Sequence, residues 1–148
     1  MTAAPLIRVI SFGYGHTGLL DDDGHNVLEP PTADVTLDLR RVLYNPHQDP
    51  AMRHLTGLDD TVHAHVLATP GARILALNTA MAAHTLMHQA HPPVVTVAAG
   101  CAGGRHRAVS MARAVLDFLT DMSAGGGYRT ELVHRDAHRP VLPSSAHR

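Results

Sequence analysis

Val94-Val95-Thr96-Val97-Ala98-Ala99-Gly100-Cys101-Ala102-Gly103-Gly104-Arg105-His106-Arg107 is the stretch that decides the fold. Its first six residues form a nearly all-apolar run, the composition of a strand covered on both faces. A glycine-rich loop, Gly100 to Gly104, follows. Then Val109, Ala112, Val115 or Leu116, Leu119 and Met122 recur at helical spacing, which predicts a helix from about His106. Gly125-Gly126-Gly127 ends it, and Tyr128 to His134 reads as a last strand. Strand, tight loop and amphipathic helix in this order are the building unit of an α/β fold.

Upstream, Leu6-Ile7-Arg8-Val9-Ile10-Ser11-Phe12 reads as a first strand cut off by Gly13 and Gly15. Thr17 to Pro31, with three consecutive Asp, two Gly and two Pro, is a long loop of the kind that is functional or mobile. Val35, Leu37 and Leu39 alternate with Thr36 and Asp38 as a second strand ending at Arg40-Arg41. Asp59 and Asp60 open a short helix through Val62 and Val66, which Pro70-Gly71 breaks. Ile74, Leu77 and Met81, with Ala at 76, 80 and 83, give a second helix to about Ala90, stopped by Pro92-Pro93. The expected fold is α/β, a central, mainly parallel sheet with flanking helices and an anion-binding loop between strand and helix.

The 148 residues are 45% hydrophobic and 17% charged, with a formal net charge of −1. That length suits a single domain, 1–148, with a frayed tail from Pro140 over 140–148. No apolar run approaches the roughly 20 residues of a membrane span, and the first ten residues lack a signal-peptide layout. The expectation is a soluble, cytoplasmic chain without membrane partners. One cysteine excludes an internal disulfide and every Cys-rich zinc site. All twelve basic residues are Arg, and the near-zero net charge argues against non-specific nucleic-acid binding as the main task. Two Phe, three Tyr and no Trp leave little for base-stacking platforms.

The loop Gly100 to Arg107 has the chemistry of an anion site. Small residues let the backbone curl with successive N–H groups inward, and a helix N-terminus adds about half a positive charge. Arg107 can grip phosphate bidentately, while Arg105 and His106 add charge or donors. In open α/β sheets such a loop lies at the carboxyl ends of the strands, where ligands sit. Cys101 with Arg six residues later is also the spacing of Cys-dependent phosphatases, with Cys101 as nucleophile, Arg107 as clamp, and an Asp such as Asp22 or Asp38 as acid. An inert strand-end thiol is the other reading of Cys101.

The runs Ser11-Phe12-Gly13-Tyr14-Gly15, Leu37-Asp38-Leu39-Arg40, Asn45-Pro46-His47, Leu55-Thr56-Gly57-Leu58-Asp59 and Gly100 to Arg107 together resemble the C-terminal domain of the RNase adaptor RapZ family. The resemblance spans residues 11 to about 136. It implies a phosphofructokinase-like piece of fold, self-association into a homo-oligomer, and a regulatory adaptor that senses glucosamine-6-phosphate and engages regulatory RNA and protein partners. It carries a sugar-phosphate site onto His47, Ala102, Gly103, Gly104, His106 and Arg107, with Asp38 and Arg40 at a neighbouring strand end. An RNA-binding module is a further reading, with a footprint on Arg105, Arg107, Arg113, Arg129, Arg135 and Arg139. The family's N-terminal P-loop has no counterpart, since the chain lacks Lys altogether. Ala102 and Ala108 stand where the family has Thr and Ser.

At Asp38 a carboxylate could take a substrate ammonium, or pair with Arg40 or Arg53. His47 is either a ligand contact or a turn histidine. His84, His88 and His91 share a helical stripe, with His63 and His65 as further imidazoles, but no acidic residue joins them. No metal and no cofactor are expected. The reading is a sugar-phosphate sensor, more adaptor than enzyme, with the phosphatase as alternative.

Overall fold

The computed structural model describes residues 3–125 and 127–143. Strands β1 (Leu6–Gly13), β2 (Val35–Asp38), β3 (Val94–Cys101) and β4 (Arg129–His134) form one sheet in the order β2-β3-β1-β4, and every pair is parallel. Helices α1 (Asp60–Leu67) and α2 (Ala72–Ala90) lead from β2 to β3, and α3 (Arg107–Ser123) leads from β3 to β4. The expected parallel α/β sheet is therefore present. β3 runs two residues beyond Ala99 because Phe12 and Gly13 pair with Gly100 and Cys101.

Period two along the strands sorts the faces. Ile7 and Val9 of β1, Val95, Val97 and Ala99 of β3, and Leu132 of β4 all pack with the helices. Fully burying each large aliphatic side chain contributes about 1.5–3 kcal/mol. On α2 the buried residues are Ala72, Ala76, Thr79, Ala80, Ala83 and Met87, whereas Ile74 and Met81 are 65% and 50% exposed. The periodicity thus located the helix, but a mainly small face, closed by Met87, turns inward while Ile74 and Met81 turn out. Small residues let α2 lie close to the sheet and α3.

Chain handedness explains the long loop after β1. The steps β2 to β3 and β3 to β4 run the same way along the sheet with helices on one face. The step from β1 to β2 runs the opposite way, so a right-handed crossover must pass over the other face. There the loop is pinned by the Arg135 guanidinium, which donates to the Glu29 carbonyl and stacks over Phe12. A short antiparallel bridge, Leu20 with Val27, folds its tip, and Leu28 is buried. Crossing two strand positions without a helix requires this length. Of the tail expected from Pro140, residues 144–148 lie outside the described residues; Leu142 packs against Gly15.

The ends of β1 and β3 touch backbone to backbone. A Cβ on Gly13 would stand 2.6 Å from the Gly103 carbonyl carbon and 2.7 Å from the Gly104 nitrogen. Neither partner is a side chain that could swing away. Gly13→Ala is expected to destabilise the fold by about 1–3 kcal/mol in urea denaturation; an unchanged midpoint would show that the contact is slack.

Candidate functional site

All four strands end on one edge, and the crevice between β1 and β3 is the topological switch point, since β1 leaves over one face and β3 over the other. The loop from Cys101 to His106 fills that edge. Gly104 has φ +73°, a left-handed conformation that glycine adopts without strain, and its N–H donates to Cys101 Sγ at 3.3 Å. The loop's carbonyls turn outward: Ala102 accepts from Gly15 N–H at 2.8 Å and Arg105 from Gly57 N–H at 2.7 Å. Gly103 accepts from His16 Nε2 at 3.1 Å, so that ring carries its proton on Nε2. The N–H groups of Gly103, Arg105 and His106 meet no acceptor among the described residues. Carbonyls paired and N–H groups left over are the arrangement an anion requires.

Arg107, the first residue of α3, is 3% exposed. Its Nη1 donates to the carbonyls of Leu39, Arg40 and Val42 at 2.8, 3.2 and 3.2 Å, and its Nε is buried without an acceptor. No carboxylate forms an ion pair with it among the described residues. Burial lowers the guanidinium's affinity for its proton, partly offset by Cys101 and Asp38 nearby. A buried cation held only by carbonyl dipoles is electrostatically incomplete. His106 is the residue just before α3, 4% exposed, and burial pushes its pKa down to about 4, opposed by hydrogen bonds to the Leu55 and Met52 backbone and reinforced by Arg105 and His47. Its Nε2 has no partner. His47 is buried beside this group, with its pKa lowered by burial and then by Arg53, His54 and Arg107.

The other expected residues divide. Asp38 at the end of β2 pairs with Arg40, Nη2 to Oδ2 at 2.8 Å and Nε to Oδ1 at 3.0 Å, which holds its carboxyl below the usual range. Arg40 also lies 3.8 Å above the Tyr14 ring. Arg105 is directed elsewhere: its Nη1 donates to Ala137 and Arg139 carbonyls and its Nη2 to those of His54 and Leu55, so it ties two chain segments to the loop. The arginines expected to contact RNA fall in three places. Arg113 donates to the Gly57 carbonyl within the helical layer, Arg129 sits at the opposite edge by Ala4, and Arg135 and Arg139 clasp Asp136. His91 leaves the histidine stripe as a left-handed C-cap, and His84 bonds Tyr128 Oη at 2.8 Å. No group of three or more metal-binding side chains occurs among the described residues.

Asp136 was not legible as a site residue. It is fully buried and accepts from Gly13 N–H at 2.7 Å, Arg135 Nη2 at 2.8 Å and Arg139 Nε at 2.8 Å. The only sequence sign was an Asp flanked by Arg135 and Arg139 just after a strand, which surface turns also display. Burial raises its pKa, but the two arginines and the Gly13 N–H together lower it more. A lowered folded pKa gives stability that is present above the unfolded value near 3.9 and lost as pH falls through the folded one. Asp136→Asn is therefore expected to cost about 2–3 kcal/mol at neutral pH and to flatten the loss of stability below about pH 4, read from denaturation midpoints across pH.

Residues 5–138 match the family model described as the RapZ C-terminal domain. The chain is 37% identical over 137 residues to a nucleotide-binding protein of Thermus thermophilus, covering 90% of this chain and 44% of that protein. It is 36% identical over 135 residues to one of Sphingopyxis alaskensis, covering 89% and 38%, and 40% identical over 136 residues to one of Rhodospirillum centenum, covering 90% and 36%. The chain spans about two fifths of the length of these relatives. With the parallel sheet, the loop after β3 and the matched length together, the chain belongs to the RapZ C-terminal domain family.

Proposed function

We propose that this domain, a regulatory adaptor by family, senses a phosphorylated amino sugar of the glucosamine-6-phosphate type at the loop Cys101–Arg107. The observation that carries the reading is the buried Arg107 guanidinium without a paired carboxylate, at a helix N-terminus beside unpaired loop N–H groups. A phosphate supplies the missing negative charge and accepts from those donors. Asp38, at the neighbouring strand end, supplies a carboxylate for the sugar's ammonium once Arg40 gives way. We assign His47 and His106, whose pKa values burial lowers, to the lining beside the sugar. Occupancy then stabilises one arrangement of the Cys101–Arg107 loop over others, and partners that distinguish them read the signal. The partners we propose are a protein or a regulatory RNA, with self-association of the domain.

Phosphatase chemistry fits less well. Cys101 is 3% exposed, and Ala108 stands where a hydroxyl would assist the departing thiolate.

Calorimetric titration with glucosamine-6-phosphate, against glucosamine and inorganic phosphate, tests the reading. Binding at least about tenfold tighter than either control is expected. Arg107→Ala should weaken it by about 1.5–3 kcal/mol, and Asp38→Asn should erase most of the preference over glucose-6-phosphate. Binding no tighter than phosphate alone would reduce the loop to a generic anion site. Hydrolysis of an aryl phosphate that Cys101→Ser abolishes would make the domain an enzyme.

A further inference from the structure

The two edges of the sheet are not alike. β2, at one end, has four residues, and so short an edge offers little to pair with. β4, at the other, has six and is flanked only by β1 among the described residues. The ladder fixes which of its backbone groups β1 uses. Arg129 N–H donates to the Pro5 carbonyl at 2.8 Å and Arg135 N–H to the Ser11 carbonyl at 2.9 Å, so the odd-numbered residues face β1. The N–H and C=O groups of Thr130 and Leu132, and of Tyr128 just before the strand, therefore point to the open side. No backbone group meets them there among the described residues.

The side chains along this edge are incomplete as well. Arg129 and Glu131 are both exposed and, two residues apart, share one face. Arg129 gives its Nε to the Ala4 carbonyl at 3.2 Å, and its Nη1 and Nη2 meet no acceptor among the described residues. Glu131 takes Arg8 Nε on Oε2 at 2.8 Å, and its Oε1 meets no donor among them.

A second copy of the strand, laid antiparallel, completes both. Outward backbone groups must meet outward backbone groups, so even-numbered residues oppose even-numbered ones. Thr130 can then face Tyr128, Thr130, Leu132 or His134 of the other copy. The first choice sets Arg129 against Arg129, the third Glu131 against Glu131, and the fourth Arg129 against Arg135. Like charges directly opposite destabilise each of these. With Thr130 on Thr130, Arg129 of each copy faces Glu131 of the other, and Leu132 faces Tyr128. Opposite-charge and Thr–Thr pairs across strands are stabilising, and a two-fold axis repeats every contact.

We infer that β4 is a self-recognition edge, through which two copies of this chain join antiparallel about Thr130 into one continuous sheet, Arg129 of each on Glu131 of the other. Strand direction reverses across the joint, so the two Cys101–Arg107 loops lie on opposite edges of that sheet, each complete within one copy. This gives the self-association proposed above its surface and rests on no other part of that reading.

Sedimentation velocity on the full chain is the test, with Arg129→Glu and Glu131→Arg as probes. Both positions are exposed, and a cooperative thermal transition confirms that each variant folds. The unaltered chain is expected to form a dimer as concentration rises, with hydrogen exchange of the Thr130 and Leu132 amides slowing as it does. Each variant alone sets like charges opposite one another and should weaken the dimer at least about tenfold. An equimolar mixture of the two variants brings only opposite charges together and should restore it. A chain that stays monomeric to on the order of 1 mM overturns the inference together with the proposed self-association. A dimer insensitive to both variants, amides that do not slow, or a mixture that fails to associate overturns the β4 edge alone. Calorimetry on the Glu131→Arg variant reads the sugar-phosphate site separately: its affinity should match that of the unaltered chain, and a mismatch would overturn the independence of edge and site.

Discussion

The contact of Gly13 with Gly103 and Gly104 is the constraint on which the functional edge depends. It brings the ends of β1 and β3 together with no side chain between them. The Asp136 carboxylate fastens the same point by accepting the Gly13 N–H, and through Arg135 and Arg139 it draws in the chain after β4. His16 closes the remaining side on the Gly103 carbonyl. The loop that presents donors at the head of α3 is therefore held from outside by groups that never need to touch a ligand. Such support from surrounding residues is what keeps a binding site in one geometry.

Arginine does an unusual share of this structural work. Arg105 reaches four carbonyls and Arg107 three. A guanidinium presents five donors in a plane and can gather several chain segments at once, whereas an ammonium is a compact, strongly hydrated point charge. In a chain without Lys, every cation is of the kind that can tie loops together.

The framework was legible because it rests on local pattern. The apolar run from Val94, the alternation at Val35–Leu39 and the glycine breaks each act within a few residues, and each element lies within a few positions of its expected bounds. What was not legible depends on distant partners. Periodicity could not say which side of α2 faces inward, because that choice turns on how closely the sheet and α3 approach. Arg105 and Arg107 look alike in the loop, yet one is spent on Ala137, Arg139, His54 and Leu55, and the other keeps a buried, unpaired Nε. Asp136 reads as an ordinary turn residue until the end of β1 meets it and its two flanking arginines close on it. The length of the loop from Thr17 to Pro31 suggested function or mobility, and the handedness of the crossover supplies its reason.

The position of β1 has a consequence for how the chain acquires its structure. The first strand in sequence lies inside the sheet, between β3 and β4, and pairs Leu6 with Val94 on one side and with Arg129 on the other. Neither neighbour exists until most of the chain has been synthesised. A nascent chain emerging from the ribosome therefore carries Leu6–Gly13 as an apolar strand with both edges open, while α1 and α2 can already form locally. Folding dominated by such distant pairings is slow, and exposed strand edges invite association between chains. Arg8, the one charged residue in that strand, is the only built-in deterrent to premature pairing during this interval.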